Sequence, residues 1–410
     1  MQELLYLVHR IPYPPNKGDK IRSYHLLKHL SAHFKVHLGA FVDDPEDWQH
    51  AQTLAGMVSG EVKLLPLNSR WATLRSACGL LSGEPLTLPY YRSAALKSWV
   101  ADILERRPIR HAVVFSSAMA QYLMPYPAVH RIIDFVDIDS DKWRQYAEHK
   151  TWPMNWIYRR EATTLLALER RVAQAYAAST LVSRAEAELF QQLAPESASR
   201  ITYYNNGVDL DYFSAARSYD TPYASGEHVL VFTGAMDYWA NVDAVTWFAQ
   251  EVFPALRTRF PNVCFYIVGS RPTAQVVALA GNGIVVTGSV PDVRPYVAHA
   301  AVAVAPLRIA RGIQNKVLEA MAMAKPVVVS PQALEGIAAE AGTEVLLAAD
   351  SAAFIALIAA QLDRPDETLG PAARRRVEQD YSWERGLQRI DRLLEQEPPL
   401  TNTVVQPGLS

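Results

Sequence analysis

The sequence predicts an α/β protein built from two doubly wound, parallel-sheet domains in tandem. Three observations carry this expectation. Short apolar runs alternate with helix-length segments, the alternation occurs twice along the chain, and a polar, turn-rich passage separates the two rounds. Strict alternation of strand and helix implies parallel strands joined by right-handed crossovers, with helices covering both faces of each sheet. A chain of 410 residues, half of them apolar, exceeds one core and suits two domains of ~150 to 200 residues.

In the first half, "LLYLVHR", "KVHLGAF", "EVKLLPL", "HAVVFSS", "RIIDFVD", "STLVS" and "RITYYNN" read as strands. Their near-continuous apolar character is that of strands buried on both faces. The break falls near "NNGVDLDYFSAARSYDTPYASGEH", the kind of passage that joins domains. The expected domains are therefore 1–208 and 209–381, with a helix near 382–397 placed to pack back on the first. In the second half "HVLVFTG" is a strand, and "NVDAVTWFAQEVFPALRTRF" is a helix with Val245, Phe248, Val252 and Leu256 on one face. "VCFYIVGS", "GIVVTGS", "AVAVAP", "PVVVS" and "EVLLAAD" complete the strands. The closing "EQEPPLTNTVVQPGLS" lacks periodicity, so 398–410 is expected to be a disordered tail.

Composition narrows the function. A net charge of −2 gives no reason to expect a nucleic-acid partner. The two cysteines, Cys78 and Cys264, have no second thiol or histidine at ligand spacing, which argues against a disulfide framework or zinc site and for a reducing compartment. The apolar run in "MQELLYLVHRIPYPP" is too short for a signal peptide, and nowhere do about 18 apolar residues run together. A soluble cytoplasmic protein is expected.

In open sheets of this class, ligands bind outside the carboxyl ends of the strands. Two such domains facing each other would line a cleft with those ends. One motif there is "VHRIPYPPNKGDKIRSYHLLKHL", in which Gly18 opens a helix carrying Asp19, Lys20 and Arg22. Bare amides at such a start can approach a phosphate or sugar hydroxyl, or the charges can simply sit solvated around a helix cap. The absence of G-x-G-x-x-G after the first strand lowers a dehydrogenase reading. The more specific motif is "RIARGIQNKVLEAMAMAKP" at 308–326. With a helix beginning near Gly312, Val317, Leu318 and Met321 face the sheet, while Asn315, Lys316 and Glu319 share the opposite stripe. The helix terminus and Lys316 suit a diphosphate, and Glu319 can accept two hydroxyl protons from a ribose. A plain Glu–Lys surface pair is the alternative.

"GIQNKVLEAMAMAKPVVVS" resembles the signature of family-4 glycosyltransferases of the GT-B fold. The resemblance extends over nearly the whole chain, through "NNGVD", "VFTGAMDYWANVDAVTWF" and "YSWERGLQRI". With the acidic "DFVDIDSDKW" segment it is nearest to bacterial sugar transferases found with exosortase (PEP-CTERM) exopolysaccharide clusters. It implies two Rossmann-like domains and a retaining transfer from a nucleotide-diphosphate sugar, a UDP- or GDP-sugar, to a glycan or lipid-linked acceptor. No cofactor and no catalytic metal are implied. Carried over residue by residue, Glu319 would bind the ribose. Gly312, Ile313 and Gln314 would offer amides to the donor sugar, with Asn315 and Lys316 near the phosphates. Gly18 would lie near the reacting phosphate and Gly234 in a loop facing the diphosphate. A nucleotide-sugar epimerase, or a binding protein without turnover, are the other readings.

Two departures from that pattern stand out. Arg311 occupies a position often acidic in the family, and the basic pair common after the Gly234 loop is missing. Arg308, Arg311 and Lys316 are the candidates to meet the diphosphate charge. Asp137-Ile138-Asp139 is formally a metal-binding D-x-D, but a helix-borne ribose carboxylate in a second domain favours a role for Asp137 and Asp139 at donor or acceptor hydroxyls. His9 and His25 read as structural hydrogen-bonding residues. In 142–171, Trp143, Trp152, Trp156 and Tyr158 among basic residues suit a membrane interface. An ordinary amphipathic helix after Pro153, burying Ile157, Leu165 and Leu168, is the alternative.

Overall fold

The computed structural model describes residues 1–15, 18–77, 79–148, 150–310 and 313–395. Cys78, Arg311, Gly312 and the expected tail at 398–410 lie outside the described residues. All thirteen apolar runs read as strands are strands. The first sheet holds β1 (Glu3–Val8), β2 (Lys35–Val42), β3 (Val62–Pro66), β4 (His111–Phe115), β5 (His130–Val136), β6 (Ala178–Leu181) and β7 (Ile201–Tyr203) in the order β3-β2-β1-β4-β5-β6-β7. The second holds β8 (His228–Thr233), β9 (Val263–Val268), β10 (Ile284–Gly288), β11 (Val302–Ala305), β12 (Val327–Val329) and β13 (Leu346–Leu347) in the order β10-β9-β8-β11-β12-β13. Every pairing within these sheets is parallel. The chain is thus two parallel-sheet, Rossmann-like domains.

The chain divides into unit 1, Met1–Tyr204 together with residues from Leu387 on, and unit 2, Asn205–Gly386. Each has its own core. In unit 1, Leu5, Leu7, Val114 and Ile133 are fully buried with Leu165 and Val172. In unit 2, Leu230, Phe232, Phe265 and Val304 are buried with Val317, Leu318 and Met321. Each such side chain contributes ~1.5 to 3 kcal/mol by leaving water.

Six helices matter below: α1 (Gly18–His33), α2 (Asp139–Glu148), α3 (Met154–Ala175), α4 (Trp239–Trp247), α5 (Asn315–Ala322) and α6 (Trp383–Glu395). Two differ from the sequence reading. The segment read as one helix over 241–260 is three: α4, a wide π turn over Phe248–Val252, and a helix over Phe253–Arg259 with Pro254 in its first turn. Proline lacks the amide that would continue the ladder, so the break falls there. Val245, Phe248, Val252 and Leu256 nevertheless all face the core, each fully buried. The other difference is α5, which begins at Asn315 rather than near Gly312. Gln314 is extended (φ −87°, ψ 99°) and its carbonyl already accepts the Val317 amide at 3.0 Å, making it the cap.

The passage after unit 1 pairs with the one before Leu387. Val208 N–H donates to the Tyr381 carbonyl at 2.8 Å, and a Cβ on Gly207 would lie 2.6 Å from the Trp383 nitrogen, so only glycine permits this approach.

Candidate functional site

Strand order reverses between β8 and β11 in unit 2, and between β1 and β4 in unit 1. Loops leaving strands on the two sides of a reversal diverge and open a crevice at the carboxyl ends. In unit 2 those loops carry Gly234, after β8, and the segment from β11 to α5. Gly234 N–H donates to the Val268 carbonyl at 3.0 Å, and a Cβ on Gly269 would fall 1.6 Å from the Gly234 carbonyl oxygen. The loops after β8 and β9 are therefore in backbone contact. A Cβ on Gly234 would meet Asn241 Nδ2 at 2.8 Å and Lys316 Nζ at 3.4 Å. The bare backbone leaves space where these two side chains meet.

Lys316 and Glu319 stand half-buried on one side of α5, whose opposite face buries Val317, Leu318 and Met321. Lys316 Nζ donates to Asn241 Oδ1 at 2.5 Å and lies 4.5 Å from the centre of the Phe232 ring. Asn241 is fixed in turn by donating to the Ala235 carbonyl at 2.9 Å. Burial pushes the Lys316 ammonium down to about 8, against the opposing pull of Glu319. It pushes the Glu319 carboxyl up to about 7, with Lys316 opposing. Among the described residues the Glu319 carboxylate has no hydrogen bond or ion pair. Nearby, Asn315 Oδ1 is buried without a partner among the described residues. A half-buried carboxylate and ammonium with donors and acceptors unspent are suited to a ligand that brings hydroxyls and negative charge.

The remaining predicted residues of unit 2 are placed as follows. Ile313 packs against the core and Gln314 caps α5. Arg308 is tied to Asp243 on α4, Nε to Oδ2 at 2.9 Å with a second contact from Nη2 to Oδ1. Its charge is met by the protein's own carboxylate. The buried Ser330 hydroxyl, donating to the Leu307 carbonyl at 2.5 Å, anchors the loop just before it. One group escaped the sequence reading: Tyr212, exposed, with the Arg294 guanidinium 3.8 Å from its ring centre and Asp292 holding Arg294 at 2.6 Å. Glu319 bears electrostatically on the Tyr212 hydroxyl. Only a contact some hundred residues away in sequence marks Tyr212, and no local pattern does.

In unit 1, Gly18 opens α1, and a Cβ there would meet nothing within 4 Å. Beside it Asp19 takes Arg10 Nη1 at 2.7 Å, and Arg10 also reaches Asp43 at 2.9 Å. Burial opposes ionisation of Asp19, but His9 and Arg10 hold its carboxyl far below the usual range. His9 stacks on Phe115 with ring centres 5.8 Å apart, which brings the ends of β1 and β4 together. Lys20 and Arg22 are buried, contrary to the reading of these charges as solvated around a helix cap. Lys20 Nζ is buried on Asp47 at 2.5 Å. Arg22 is fully buried, with Nε on Asp134 Oδ2 at 2.8 Å, Nη1 on the Tyr204 carbonyl at 3.0 Å and its guanidinium over the Tyr204 ring.

Asp137 and Asp139 follow β5 and share one cation: Lys142 Nζ lies 2.7 Å from Asp137 and 3.4 Å from Asp139. Burial raises the Asp139 carboxyl, with Lys142 opposing. Behind them buried Glu169 caps α2 by accepting from Ser140 N at 3.2 Å and Ser140 Oγ at 2.5 Å; burial pushes it up to about 8. At the ends of β2 and β3 a cavity of about 280 Å³ is lined by Phe41, Leu67, Asn68, Trp71, Arg75 and Arg92. Along 142–171, Trp143 packs on Tyr158 at 4.9 Å between ring centres, while Trp152 is 81% and Trp156 57% exposed. Leu165 and Leu168 are buried and Ile157 is half-buried. No helix among the described residues is long and apolar enough to cross a membrane.

Residues 227–364 match the family described as glycosyl transferases group 1. The matched span runs from β8 to the helix after β13 and includes Gly234, Lys316 and Glu319. No curated protein matches the sequence. The structure is similar over 96% of its length to sucrose-phosphate synthase (tll1590) from Thermosynechococcus elongatus, with a TM-score of 0.65, 16% identity and 98% of that chain covered. It is similar over 96% of its length to Anabaena Alr3699/HepE in complex with UDP-glucose, at TM-score 0.64, 15% identity and 99% coverage of that chain. WaaG, a glycosyltransferase involved in lipopolysaccharide biosynthesis, aligns over 96% of this chain and 100% of its own at TM-score 0.64 and 15% identity. At these identities the likeness establishes the fold, GT-B.

Proposed function

We propose that the protein is a retaining glycosyltransferase that moves a sugar from a nucleotide-diphosphate sugar to a glycan or lipid-linked acceptor in bacterial exopolysaccharide synthesis. The observation that carries this reading is the Glu319 carboxylate, without a hydrogen bond or ion pair among the described residues, standing one helical turn from Lys316 at the β8/β11 switch point. Glu319 would accept the two ribose hydroxyls. Lys316 would swing from Asn241 to the diphosphate, with the amides around Ile313 and Gln314 facing the sugar. The match of unit 2 to group 1 glycosyl transferases supports the donor chemistry, and the UDP-glucose bound by the Anabaena protein favours a UDP-sugar. In the reaction the bond from the anomeric carbon to the diphosphate breaks and one to the acceptor oxygen forms on the same face. The acceptor's proton leaves with the nucleoside diphosphate. Catalysis would rest on positioning and on stabilising that leaving group.

The acceptor belongs, on this reading, to unit 1, with Asp137 and Asp139 at its hydroxyls and Gly18 close to the reacting phosphate. The protein would work on the cytoplasmic face of the membrane, where exposed Trp152 and Trp156 beside Arg159 suit lipid headgroups. Incubation with labelled UDP- and GDP-sugars and acceptor-bearing membranes tests the whole. Transfer with the donor's anomeric configuration kept supports it; epimerised free donor, or binding without turnover, sinks it.

A further inference from the structure

The far end of α1 carries chemistry that donor binding does not use. His29 and His33 are four residues apart and so stand one above the other on one face of the helix. Their ring centres are 5.0 Å apart. Asp391 of α6 comes to the same place, with Oδ1 at 2.8 Å from His29 Nε2. One ligand atom from each of the three residues lies within 4.8 Å of the other two. His29 and Asp391 are half-buried and His33 is exposed, so a hydrated ion can reach them. Among the described residues neither nitrogen of His33 has a hydrogen-bond or ion-pair partner.

We infer that His29, His33 and Asp391 form a binding site for a first-row divalent cation of the zinc class, which fastens α6 to α1. The donor set decides the class. Two imidazoles and one carboxylate suit Zn²⁺, Co²⁺ or Ni²⁺, whereas Mg²⁺ and Ca²⁺ take oxygen ligands. A helical His pair at this spacing is the arrangement by which zinc is gripped from a single helix face. Tetrahedral ligation at ~2.0 to 2.1 Å brings ligand atoms to roughly 3.3 Å from one another. Side-chain rotation of the exposed His33 and of Asp391 covers the difference, and water completes the shell. The site is roughly 20 Å along α1 from Asp19, so its role is to hold helices rather than to act on the donor.

The test uses the full chain without a histidine tag, freed of metal by chelator and titrated with Zn²⁺ by calorimetry and with Co²⁺ by visible absorption. The expected result is one ion per chain, a melting temperature raised by Zn²⁺, and the d–d bands of Co²⁺ held by nitrogen and oxygen. His33→Ala changes an exposed side chain, and Asp391→Asn keeps a hydrogen bond to His29. Both should therefore match the metal-free wild type in melting temperature yet lose at least about tenfold in Zn²⁺ affinity, the loss that even outer partners of metal ligands cause. No saturable binding by the wild type, or unchanged affinity in both variants, overturns the site.

Discussion

Burial brings the titrations of Glu319 and Lys316 close to neutral pH, and a nucleotide needs both groups charged. Ribose hydroxyls donate to the ionised carboxylate, and a diphosphate needs the ammonium. UDP affinity should therefore fall as pH drops through about 7, where Glu319 takes up a proton, and fall again as pH rises through about 8, where Lys316 loses one. Calorimetric titration of UDP from pH 5.5 to 9.5 checks this bell. Glu319→Gln should remove its acidic limb, and Glu319→Ala should cost ~2 to 4 kcal/mol in donor binding or kcat/KM. Two glycines separate in the opposite sense. Gly269→Ala drives a methyl into the Gly234 carbonyl and should destabilise unit 2 by more than about 3 kcal/mol, beyond ordinary overpacking, as read in denaturant melts. Gly18→Ala meets open space, so its melt should match wild type; the reading of Gly18 as a phosphate neighbour then requires a fall in kcat/KM. At this scale the sequence was only partly legible. Residue types and the i, i+3 spacing of Lys316 and Glu319 are local and could be read. Lys20 and Arg22 could not, because Asp47 and Asp134, which bury them, stand far along the chain.

α1 is fastened to its sheet by charge as well as by apolar packing. Arg22 binds Asp134 of β5 and the carbonyls of Tyr204 and Leu181, and the Tyr204 hydroxyl also donates to Asp134. Arg22→Met fills similar volume but leaves Asp134 buried without its cation, which should cost ~3 to 5 kcal/mol; urea melts of the variant and of Arg22→Met with Asp134→Leu separate the lost pair from the stranded charge. The double variant is expected to recover much of the loss. All thirteen strands were legible because burial on both faces writes itself as an unbroken apolar run. Helix starts and breaks were less so: α5 starts at Asn315 because the Gln314 carbonyl is already engaged there, and the π turn ahead of Pro254 leaves the apolar spacing intact. Arg308, in the loop after β11, read as a free cation for the same reason that Arg22 did, since its partner Asp243 sits far back in sequence on α4.

Across the molecule, the two carboxylates of the D-x-D are both spoken for by Lys142. Chelator should therefore leave donor turnover at 25 °C largely intact while lowering the melting temperature through α1 and α6; loss of turnover that Mn²⁺ restores would make Asp137 and Asp139 metal ligands instead. The last helix starts in unit 2 and finishes in unit 1, where Leu387, Ile390 and Leu394 are buried, His130 Nε2 meets the Leu393 carbonyl at 2.9 Å and Arg389 meets the Tyr203 carbonyl at 2.5 Å. Ending the chain at Gly386 should thus weaken unit 1, not the neighbouring unit 2, as limited proteolysis with mapping of the first cuts would show. The same path sets an order in time. The ribosome delivers the seven strands of unit 1 first, then spends roughly 180 residues on unit 2, about 10 to 35 s at ~5 to 20 residues per second. For that interval the nascent unit 1 waits with the groove for α6 uncovered, its histidines and the Tyr203 carbonyl facing water, and the part made earliest is the last to be finished.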